Sequence, residues 1–403
     1  MSTLAKHRVT FTIIITLLIL IFAAVAIFWA RGFKPNFKKG TIERTGMLVA
    51  SSVPTGAEIY LDDRLTSATN TNIAYLEPKT YKVKIQKDGY TTWEKDLDIK
   101  ADLATEIKVL LFPLAPEIKP LTTTGAVSPT LSPDGTKIIF ATSGERGGVY
   151  VMPLSDRPFQ FGSTSHLIAK NQAGFDFTKS KFIWGPDSRQ VIAQFQIEKN
   201  QISANLLLDT EKTEQELRDI TGSLTATLKS WQEELDSRTQ TLALTTPDSV
   251  KSATAEAKPV TSDKGQGISQ DKKIDSSLIT NHLSLNYYPT GLVFSPDEEK
   301  ILYKNKDERY KIYNLKTKNE YTLPEFADFI SLSWYPDSNH LVVAQKDLIS
   351  IIEADGTNKM NVFSGKFEDG FVFAHPTGTR LIILTTLTQS DGTFPNLYAI
   401  NLR

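Results

Sequence analysis

Four aspartates recur along the chain in the same position of a repeated Pro-Asp turn: Asp134, Asp187, Asp297 and Asp337. If the fold gathered them, they would form a carboxylate cluster, the kind of site used for acid–base or metal chemistry. An aspartate after a proline also accepts hydrogen bonds from the backbone donors of a tight turn. We therefore predict a structural role for all four.

Other residues with catalytic potential are sparse. The sequence has no cysteine, which excludes disulfides, thiolate nucleophiles and Cys-ligated zinc or iron–sulfur sites. No Gly-x-Ser-x-Gly elbow is present, and Gly144-Glu145-Arg146-Gly147-Gly148 is interpreted as a hairpin turn rather than a phosphate loop. The five histidines are not at metal-ligand spacing: His7, His166, His282, His340 and His375. The sequence thus predicts no catalytic, metal or cofactor-binding residue, and the binding residues stay unassigned.

The N-terminal segment is strongly apolar. Residues 11–30 are apolar apart from Thr12 and Thr16, and as a helix they extend about 30 Å, the thickness of a bilayer's hydrocarbon core. We predict a cytoplasmic stub at 1–9, a transmembrane helix at 10–31 and a basic juxtamembrane tether at 32–45, with everything beyond outside the membrane. A signal peptide cleaved at Ala24-Val25-Ala26 is the alternative, although the apolar run is longer than a signal core.

Residues 46–114 show short strands separated by turns. The pattern of apolar and polar residues predicts strands at 47–52, 57–61, 81–86, 93–99 and 106–111. In the third strand Tyr81, Val83 and Ile85 share the face that we expect to be buried. Turns are predicted at Pro54-Thr55-Gly56, Asp62-Asp63 and Asp88-Gly89. One buried face per strand predicts a small β-sandwich.

This segment resembles the PEGA domain family. The resemblance rests on three motifs in order: Ser52-Val53-Pro54-Thr55-Gly56-Ala57-Glu58-Ile59-Tyr60-Leu61-Asp62, Pro78-Lys79-Thr80-Tyr81-Lys82-Val83 and Lys87-Asp88-Gly89-Tyr90. Thr55 stands where the family has Glu, and Lys79 stands where a Gly is usual. The resemblance implies a small surface-protein sandwich without catalytic residues.

A proline-containing turn recurs five times in residues 117–403, and each turn lies between two apolar strands. The turns are Ser132-Pro133-Asp134-Gly135, Gly185-Pro186-Asp187-Ser188, Ser295-Pro296-Asp297-Glu298, Tyr335-Pro336-Asp337-Ser338 and His375-Pro376-Thr377-Gly378. Third strands are predicted at 149–152, 311–315 and 396–400. The proline spacings are 53, 110, 40 and 40 residues, and periods near 40 with three to four strands predict a β-propeller.

The repeats resemble those of TolB-like (WD40-like) propellers, whose blades carry a Trp-Ser-Pro-Asp-Gly turn. The resemblance implies a propeller over 117–403 but no particular function, because such propellers host many roles. Five blades are favoured, and six with one degenerate blade is the alternative. We predict that residues 117–123 supply the outer strand of the last blade and close the ring. Trp184 and Trp334 could stack on sugars, but their repeat position, shared with Leu131 and Phe294, predicts blade core.

The long spacing between the second and third turns contains an insertion at 223–280. Residues 216–221 before it are expected to form the outer strand of the second blade. An apolar stripe follows at helical spacing and predicts a helix that packs on the propeller and ends at Pro247: Leu224, Leu228, Trp231, Leu235 and Leu242. Residues 249–277 are rich in small and polar residues and predict a flexible linker.

These features predict an all-β fold with one N-terminal transmembrane helix, a PEGA-like sandwich and a five- or six-bladed propeller. The net charge of −1 provides no field for nucleic acid. We expect a non-enzymatic envelope protein without a cofactor, anchored in the membrane, that binds an envelope protein or a cell-wall glycan. An enzyme that processes envelope glycans or peptides at the propeller face is one alternative, and an intracellular sensor of reversed orientation is another.

Overall fold

The structure is a computed structural model that describes residues 3–30, 33–36, 41–154, 165–197, 201–254, 291–368, 370–387 and 394–403. The chain separates into two compact units, Met1–Ala115 and Pro116–Arg403. Residues 255–290, which hold most of the predicted linker, lie outside the described residues.

The first element is the helix α1, Thr3–Ala30, which is 28 residues long. It begins earlier than predicted because residues 3–9 contain no glycine or proline and include the helix formers Leu4, Ala5 and Lys6. Its described side chains, at 11–27, are exposed. Among the described residues, no helix has the length and hydropathy of a membrane span. The short strands β1 (Phe33–Asn36) and β2 (Thr41–Arg44) pair antiparallel within the predicted tether.

The sandwich of the first unit consists of two sheets. Its strands are β3 (Gly46–Val53), β4 (Glu58–Leu61), β5 (Arg64–Ala68), β6 (Thr71–Leu76), β7 (Thr80–Gln86), β8 (Trp93–Asp98) and β9 (Ala104–Leu110). One sheet has the order β6-β3-β9 and the other β5-β4-β7-β8. β3 and β9 run parallel, whereas the other neighbours are antiparallel.

The five strands predicted in this unit are confirmed, and so is the buried face of β7. Tyr81, Val83 and Ile85 lie in the core together with residues of β3 and β4. The sequence missed β5 and β6. Every residue of these two edge strands is exposed or half-buried, so neither strand carries the apolar alternation that reveals a strand in a sequence.

The backbone of the sandwich turns shows where a residue with a positive φ is needed and that Lys79, which departs from the PEGA pattern, is not such a position. Asp62 and Asp63 adopt φ angles of 50° and 61° between β4 and β5, the left-handed backbone that two-residue hairpins require. Lys79 does not have a positive φ, so this position does not need glycine. Its Nζ lies 2.5 Å from Asp62 Oδ2 and 4.3 Å from the centre of the Tyr81 ring.

The described residues of the second unit form five four-stranded antiparallel sheets, which we number blades 1 to 5. Blade 1 consists of β11 (Val127–Leu131), β12 (Lys137–Thr142), β13 (Gly148–Pro153) and β14 (His166–Lys170), and blade 2 of β15 (Ser180–Trp184), β16 (Gln190–Ile197), β17 (Gln201–Asp209) and β18 (Arg218–Asp219). Blade 3 consists of β19 (Leu292–Phe294), β20 (Lys300–Lys304), β21 (Tyr310–Asn314) and β22 (Glu320–Thr322), and blade 4 of β23 (Phe329–Trp334), β24 (His340–Gln345), β25 (Leu348–Glu353) and β26 (Met360–Ser364). Blade 5 consists of β27 (Val372–Ala374), β28 (Arg380–Thr385), β29 (Asn396–Asn401) and β10 (Ile118–Pro120). The number of sheets agrees with the five repeats in the sequence.

The ring is closed by β10, as predicted for residues 117–123. β10 pairs antiparallel with β29, so the first strand of this unit completes the last blade. Thr122 Oγ donates to Asn396 Oδ1 at 3.0 Å and accepts the Leu397 N–H at 2.9 Å. Asn396 Oδ1 also accepts the Gly125 N–H at 2.9 Å. Strand pairing and these side-chain hydrogen bonds together join the first strand of the propeller to the last.

Apolar cores join neighbouring blades. Separate clusters connect blade 5 to blade 1, blade 1 to blade 2 and blade 3 to blade 4. Two helices from the insertion pack beside blades 2 and 3: α2 (Leu224–Thr245) and α3 (Asp248–Ala253). Trp231 of α2 belongs to a cluster with Ile183 and Ile192 of blade 2, whereas Leu242 and Val250 pack with residues of blade 3. The predicted packing of the Leu224–Leu242 stripe on the propeller is thus confirmed.

Candidate functional site

The repeated aspartates lie in the turns between the first and second strands of blades 1 to 4. Each carboxylate accepts the backbone N–H two residues further on. The distances from Oδ1 are 3.0 Å for Asp134, 2.9 Å for Asp187, 3.0 Å for Asp297 and 2.9 Å for Asp337. Across the described ranges, no group of three His, Cys, Asp or Glu side chains is placed to hold a metal ion. The structural role predicted for the four aspartates is confirmed.

These turns also connect one blade to the next. The Asp134 N–H in blade 1 donates to Ser188 Oγ in blade 2 at 3.1 Å, and the Asp297 N–H in blade 3 donates to Ser338 Oγ in blade 4 at 3.0 Å. We call the end of the sheets that bears these turns the turn face, and the opposite end the loop face. The repeated polar groups of the turn face are used to hold the blades together.

Hydrogen bonds in the turns lower the pKa of three aspartates. Burial raises the pKa of the Asp134 carboxyl, but the hydrogen bonds from Ser132 and Thr136 outweigh it, and the pKa lies below the ordinary value of 3.8. Burial likewise raises the pKa of Asp297 and of Asp337, and hydrogen bonds again bring it below 3.8. For Asp337 the main opposing group is His340, whose Nδ1 lies 2.7 Å from Oδ2.

We expect the propeller to lose stability in acid because of these aspartates. A folded-state pKa below 3.8 means that the contribution is complete above pH 3.8 and is lost as the pH falls through the folded-state pKa. Thermal unfolding measured from neutral pH to about pH 2.5 tests this. In Asp134→Asn the free energy of unfolding should depend less steeply on pH, because up to about one proton fewer is taken up on unfolding. Asp248→Asn, which changes a fully exposed side chain, should keep the wild-type slope; equal slopes in both variants would contradict the prediction.

The histidines with described side chains bond within the turns and connections of the propeller. His166 Nε2 lies 3.0 Å from the Thr210 carbonyl, and His375 lies 2.8 Å from Thr377 Oγ and 3.1 Å from Arg380. His282 and the side chain of His7 lie outside the described residues. The contact between His375 and Thr377 lies within the fifth repeated turn, His375-Pro376-Thr377-Gly378.

The two tryptophans and the glycine-rich stretch have the roles that the repeats predict. Trp184 is buried in the cluster between blades 1 and 2. Trp334 is half-buried against the cluster of blades 3 and 4, and its Nε1 donates to the Val293 carbonyl at 3.1 Å. The glycine-rich stretch forms the turn between β12 and β13, closed by a 2.8 Å hydrogen bond from the Gly147 N–H to the Gly144 carbonyl.

Exposed apolar side chains are found on the loop face. Ile330, Leu387 and Phe394 are 46%, 48% and 41% exposed. Ile330 lies near the start of β23, Leu387 follows the end of β28, and Phe394 precedes β29, so strand direction puts all three at the loop-face end. Two glycines fit closely against them: a Cβ at Gly370 would lie 2.5 Å from Ile330 Cγ2, and one at Gly125 would lie 2.8 Å from Phe394 Cβ. We call Ile330, Leu387 and Phe394 the loop-face patch.

The sequence did not reveal the patch, for a specific reason at Ile330. Strict alternation along β23 puts Ile330 on the same side as Leu332 and Trp334, which pack against the core. A bulge between Phe329 and Ser331 shifts the register. Phe329 therefore enters the core, and Ile330 points out of it. Bulges re-aim side chains in this way and leave no clear mark in a single sequence.

Comparison with known proteins identifies one part of the chain. The PEGA domain family model matches residues 45–114. A search of curated proteins returned no match.

Many solved structures show a distant similarity. A putative TolB from Agrobacterium tumefaciens is 13% identical, with 66% of this chain and 76% of that chain covered and a TM-score of 0.22. TolB from Acinetobacter baumannii is 11% identical, with 86% and 63% covered and a TM-score of 0.23. A luciferin-regenerating enzyme is 15% identical, with 71% and 95% covered and a TM-score of 0.31. Similarity this low says nothing about activity, and the propeller is identified by the chain's own strand pairing.

The sandwich of seven strands and the family match concern the same segment. Residues 45–114 are therefore a PEGA domain.

Proposed function

We propose that this protein is a non-enzymatic, membrane-anchored binding or scaffolding protein of the cell envelope, whose propeller binds a partner protein through its loop face. The observation that carries the proposal is the loop-face patch. Exposed aliphatic and aromatic side chains are typical of protein interfaces. The turn face, by contrast, uses its repeated polar groups within the fold.

A protein partner fits the patch better than a glycan. The patch consists of two aliphatic side chains and one phenylalanine. The tryptophans that might have stacked on sugars are packed between blades. We expect no hydrolytic activity, and turnover of envelope glycans or peptides by the purified protein would favour the enzymatic alternative.

We further propose that α1 holds the protein in the membrane, with its N-terminus in the cytoplasm and the sandwich and the propeller outside. A helix of 28 residues is about 42 Å long, and its described apolar side chains are exposed, Phe22 by 78%. Lys6 and Arg8 precede the apolar run, as expected for a cytoplasmic N-terminus. The protein should resist alkaline extraction of membranes and be cleaved by protease added to cells with a permeable outer layer. Protection from the protease would indicate the reversed orientation.

Charged substitutions in the patch should abolish partner binding. The double variant Ile330→Asp/Phe394→Asp replaces two of the three apolar side chains of the patch with carboxylates, and loss of a hot spot weakens an interface by about thirtyfold or more. The measurement is recovery of cross-linked partner from membranes that contain the full chain. Leu244→Asp is the matched control, because Leu244 is 86% exposed and lies on α2. Equal loss in both variants, or retention by cell wall alone, would contradict a protein-binding patch.

A further inference from the structure

The sandwich has an unpaired strand edge along β9. β9 is the last strand of the sheet β6-β3-β9, and among the described strands it pairs only with β3, in parallel and without a shift of register. The Met47 N–H donates to the Leu103 carbonyl at 3.1 Å, and the Leu111 N–H donates to the Val53 carbonyl at 2.9 Å. Because backbone groups alternate in direction along a strand, the odd-numbered residues of β9 direct theirs to β3.

The backbone groups of the even-numbered residues point away from β3. Within the described part of the chain, the N–H and C=O groups of these residues make no hydrogen bond: Ala104, Glu106, Lys108 and Leu110. The strand itself is held in place by its inner face, where Val109 is buried in the sandwich core and Ile107 packs against it. A fixed strand with a row of free donors and acceptors is a template for pairing with another strand.

The charges on this edge match those of a second copy of the same strand. The side chains of Glu106 and Lys108 are 59% and 79% exposed, and Lys108 Nζ lies 3.2 Å from Glu106 Oε1. In an antiparallel pair centred on Ile107, Glu106 of each copy lies opposite Lys108 of the other, and Ala104 lies opposite Leu110. Both pairs have outward-pointing backbone groups, so they are hydrogen-bonded pairs, whereas Ile107 meets its copy in a non-hydrogen-bonded pair. Opposite charges directly across a sheet stabilise the pairing.

Other arrangements put like charges opposite each other. An antiparallel pair centred on Glu106 or on Lys108 makes that residue face its own copy, and so does a parallel pair in register. The strand β8, at one edge of the second sheet, has Glu94, Asp96 and Asp98 at alternate positions. Antiparallel self-pairing of β8 about any of its central residues therefore puts carboxylate opposite carboxylate, which is destabilising. The charge pattern thus selects β9 and one register.

We propose that β9 pairs with β9 of a second copy of this chain, antiparallel about Ile107, and joins the two three-stranded sheets into one. Two backbone hydrogen bonds for each hydrogen-bonded pair of facing residues give about eight in all. The same surface is used by both copies, as in most two-fold dimers. This interface uses no residue of the loop-face patch, and the dimer carries two propellers, which allows bivalent binding of a partner.

The oligomeric state of the full-length protein in detergent, measured by analytical ultracentrifugation, tests the proposal. The wild type should form a dimer whose fraction rises with concentration. Glu106→Lys and Lys108→Glu each put like charges opposite at both charged pairs and should weaken the dimer by about tenfold or more. The double variant Glu106→Lys/Lys108→Glu exchanges the two charges and should restore the dimer. This rescue separates an effect on pairing from a failure to fold.

A single introduced cysteine tests the register, because the chain contains no other cysteine. Ile107→Cys puts the two sulfurs beside the two-fold axis, where the Cα atoms are about 4.5 Å apart, a separation that a disulfide spans. This variant should form a covalent dimer under mild oxidation. Leu65→Cys is the matched control, because Leu65 is 56% exposed and lies on the edge strand β5, and it should stay monomeric under reducing-gel conditions without added thiol.

Several outcomes would overturn the proposal: a protein that stays monomeric, single charge variants that dimerise like the wild type, a double variant that is not restored, or equal cross-linking of the two cysteine variants. Cross-linking of Ile107→Cys to a different protein in membranes would also overturn it, by making the occupant of the edge a strand of a partner. Ile330→Asp/Phe394→Asp should leave the dimer unchanged, so the loop-face proposal can fail independently.

Discussion

Lys119→Pro is expected to open the propeller ring. The Glu117 carbonyl accepts the Asn401 N–H at 2.8 Å, and the Leu121 N–H donates to the Leu397 carbonyl at 2.7 Å. Because hydrogen-bonded positions alternate along an antiparallel pair, the amide of Lys119, which is in register with Ala399, points to β29. Proline there removes the central bond of β10 and its ring clashes with the neighbouring strand. Pro120 is tolerated because its nitrogen faces away from β29.

The expected loss is about 1 to 3 kcal/mol of the free energy of unfolding of the propeller, because a ladder hydrogen bond is removed and its acceptor is left unpaired. Thermal unfolding and the rate of proteolysis near residues 394–403 measure it. Lys119→Ala is the control, since it keeps the backbone bond and removes only an exposed ion pair with Glu117. A Lys119→Pro variant as stable as Lys119→Ala would show that β10 does not close the ring.

Trp231→Ala should detach α2 from blade 2. Trp231 is 6% exposed and packs against Ile183, Ile192 and Ile220. Gly185 accommodates the indole: a Cβ at this position would lie 2.9 Å from Trp231 Cζ2. Removing a buried tryptophan side chain costs about 3 to 5 kcal/mol, and Trp231 is the largest side chain that α2 buries against blade 2.

Hydrogen exchange of the α2 amides, together with thermal unfolding, measures the detachment. Amides of α2 should lose protection in Trp231→Ala, whereas blades 4 and 5 should keep theirs. Leu244→Ala, at an exposed position of the same helix, should change stability by less than about 0.5 kcal/mol. Gly185→Ser, which restores the residue found at this turn position in blades 1 and 3, should reproduce part of the Trp231→Ala effect. Full protection of α2 in both variants would contradict the docking described here.

The sequence predicts the propeller well because its signals are repeated. A single proline-containing turn is a weak indication of structure. Five such turns, each between two apolar strands, indicate five repeated blades. Closure by residues 117–123 could be predicted because an unpaired edge strand at each end of the repeats has an evident partner. The stripe ending at Leu242 likewise predicts a helix and the face that it buries.

The candidate sites depend on features that a single sequence does not encode locally. The bulge in β23 turns Ile330 outward, although the alternation of β23 predicts a core residue there. In the sandwich the sequence predicts the strand β9, but its place at the end of a sheet depends on pairing with β3, which is distant in the chain. Neither Ile330 nor Glu106 differs in type from many others in the chain.

The pairing of β10 with β29 also has a consequence for the order in which the protein matures. Glu117 and Asn401 are hydrogen-bonded although they are 284 residues apart. During synthesis β10 is the first of the propeller strands to leave the ribosome, and its partner β29 is the last. The other four blades are therefore synthesised while β10 is unpaired and the ring is open. Contacts of such long range form slowly, and unpaired edges invite association with other chains. We expect nascent chains to depend on chaperones until the final strand is released, and truncations near the C-terminus to aggregate rather than to lose only one strand.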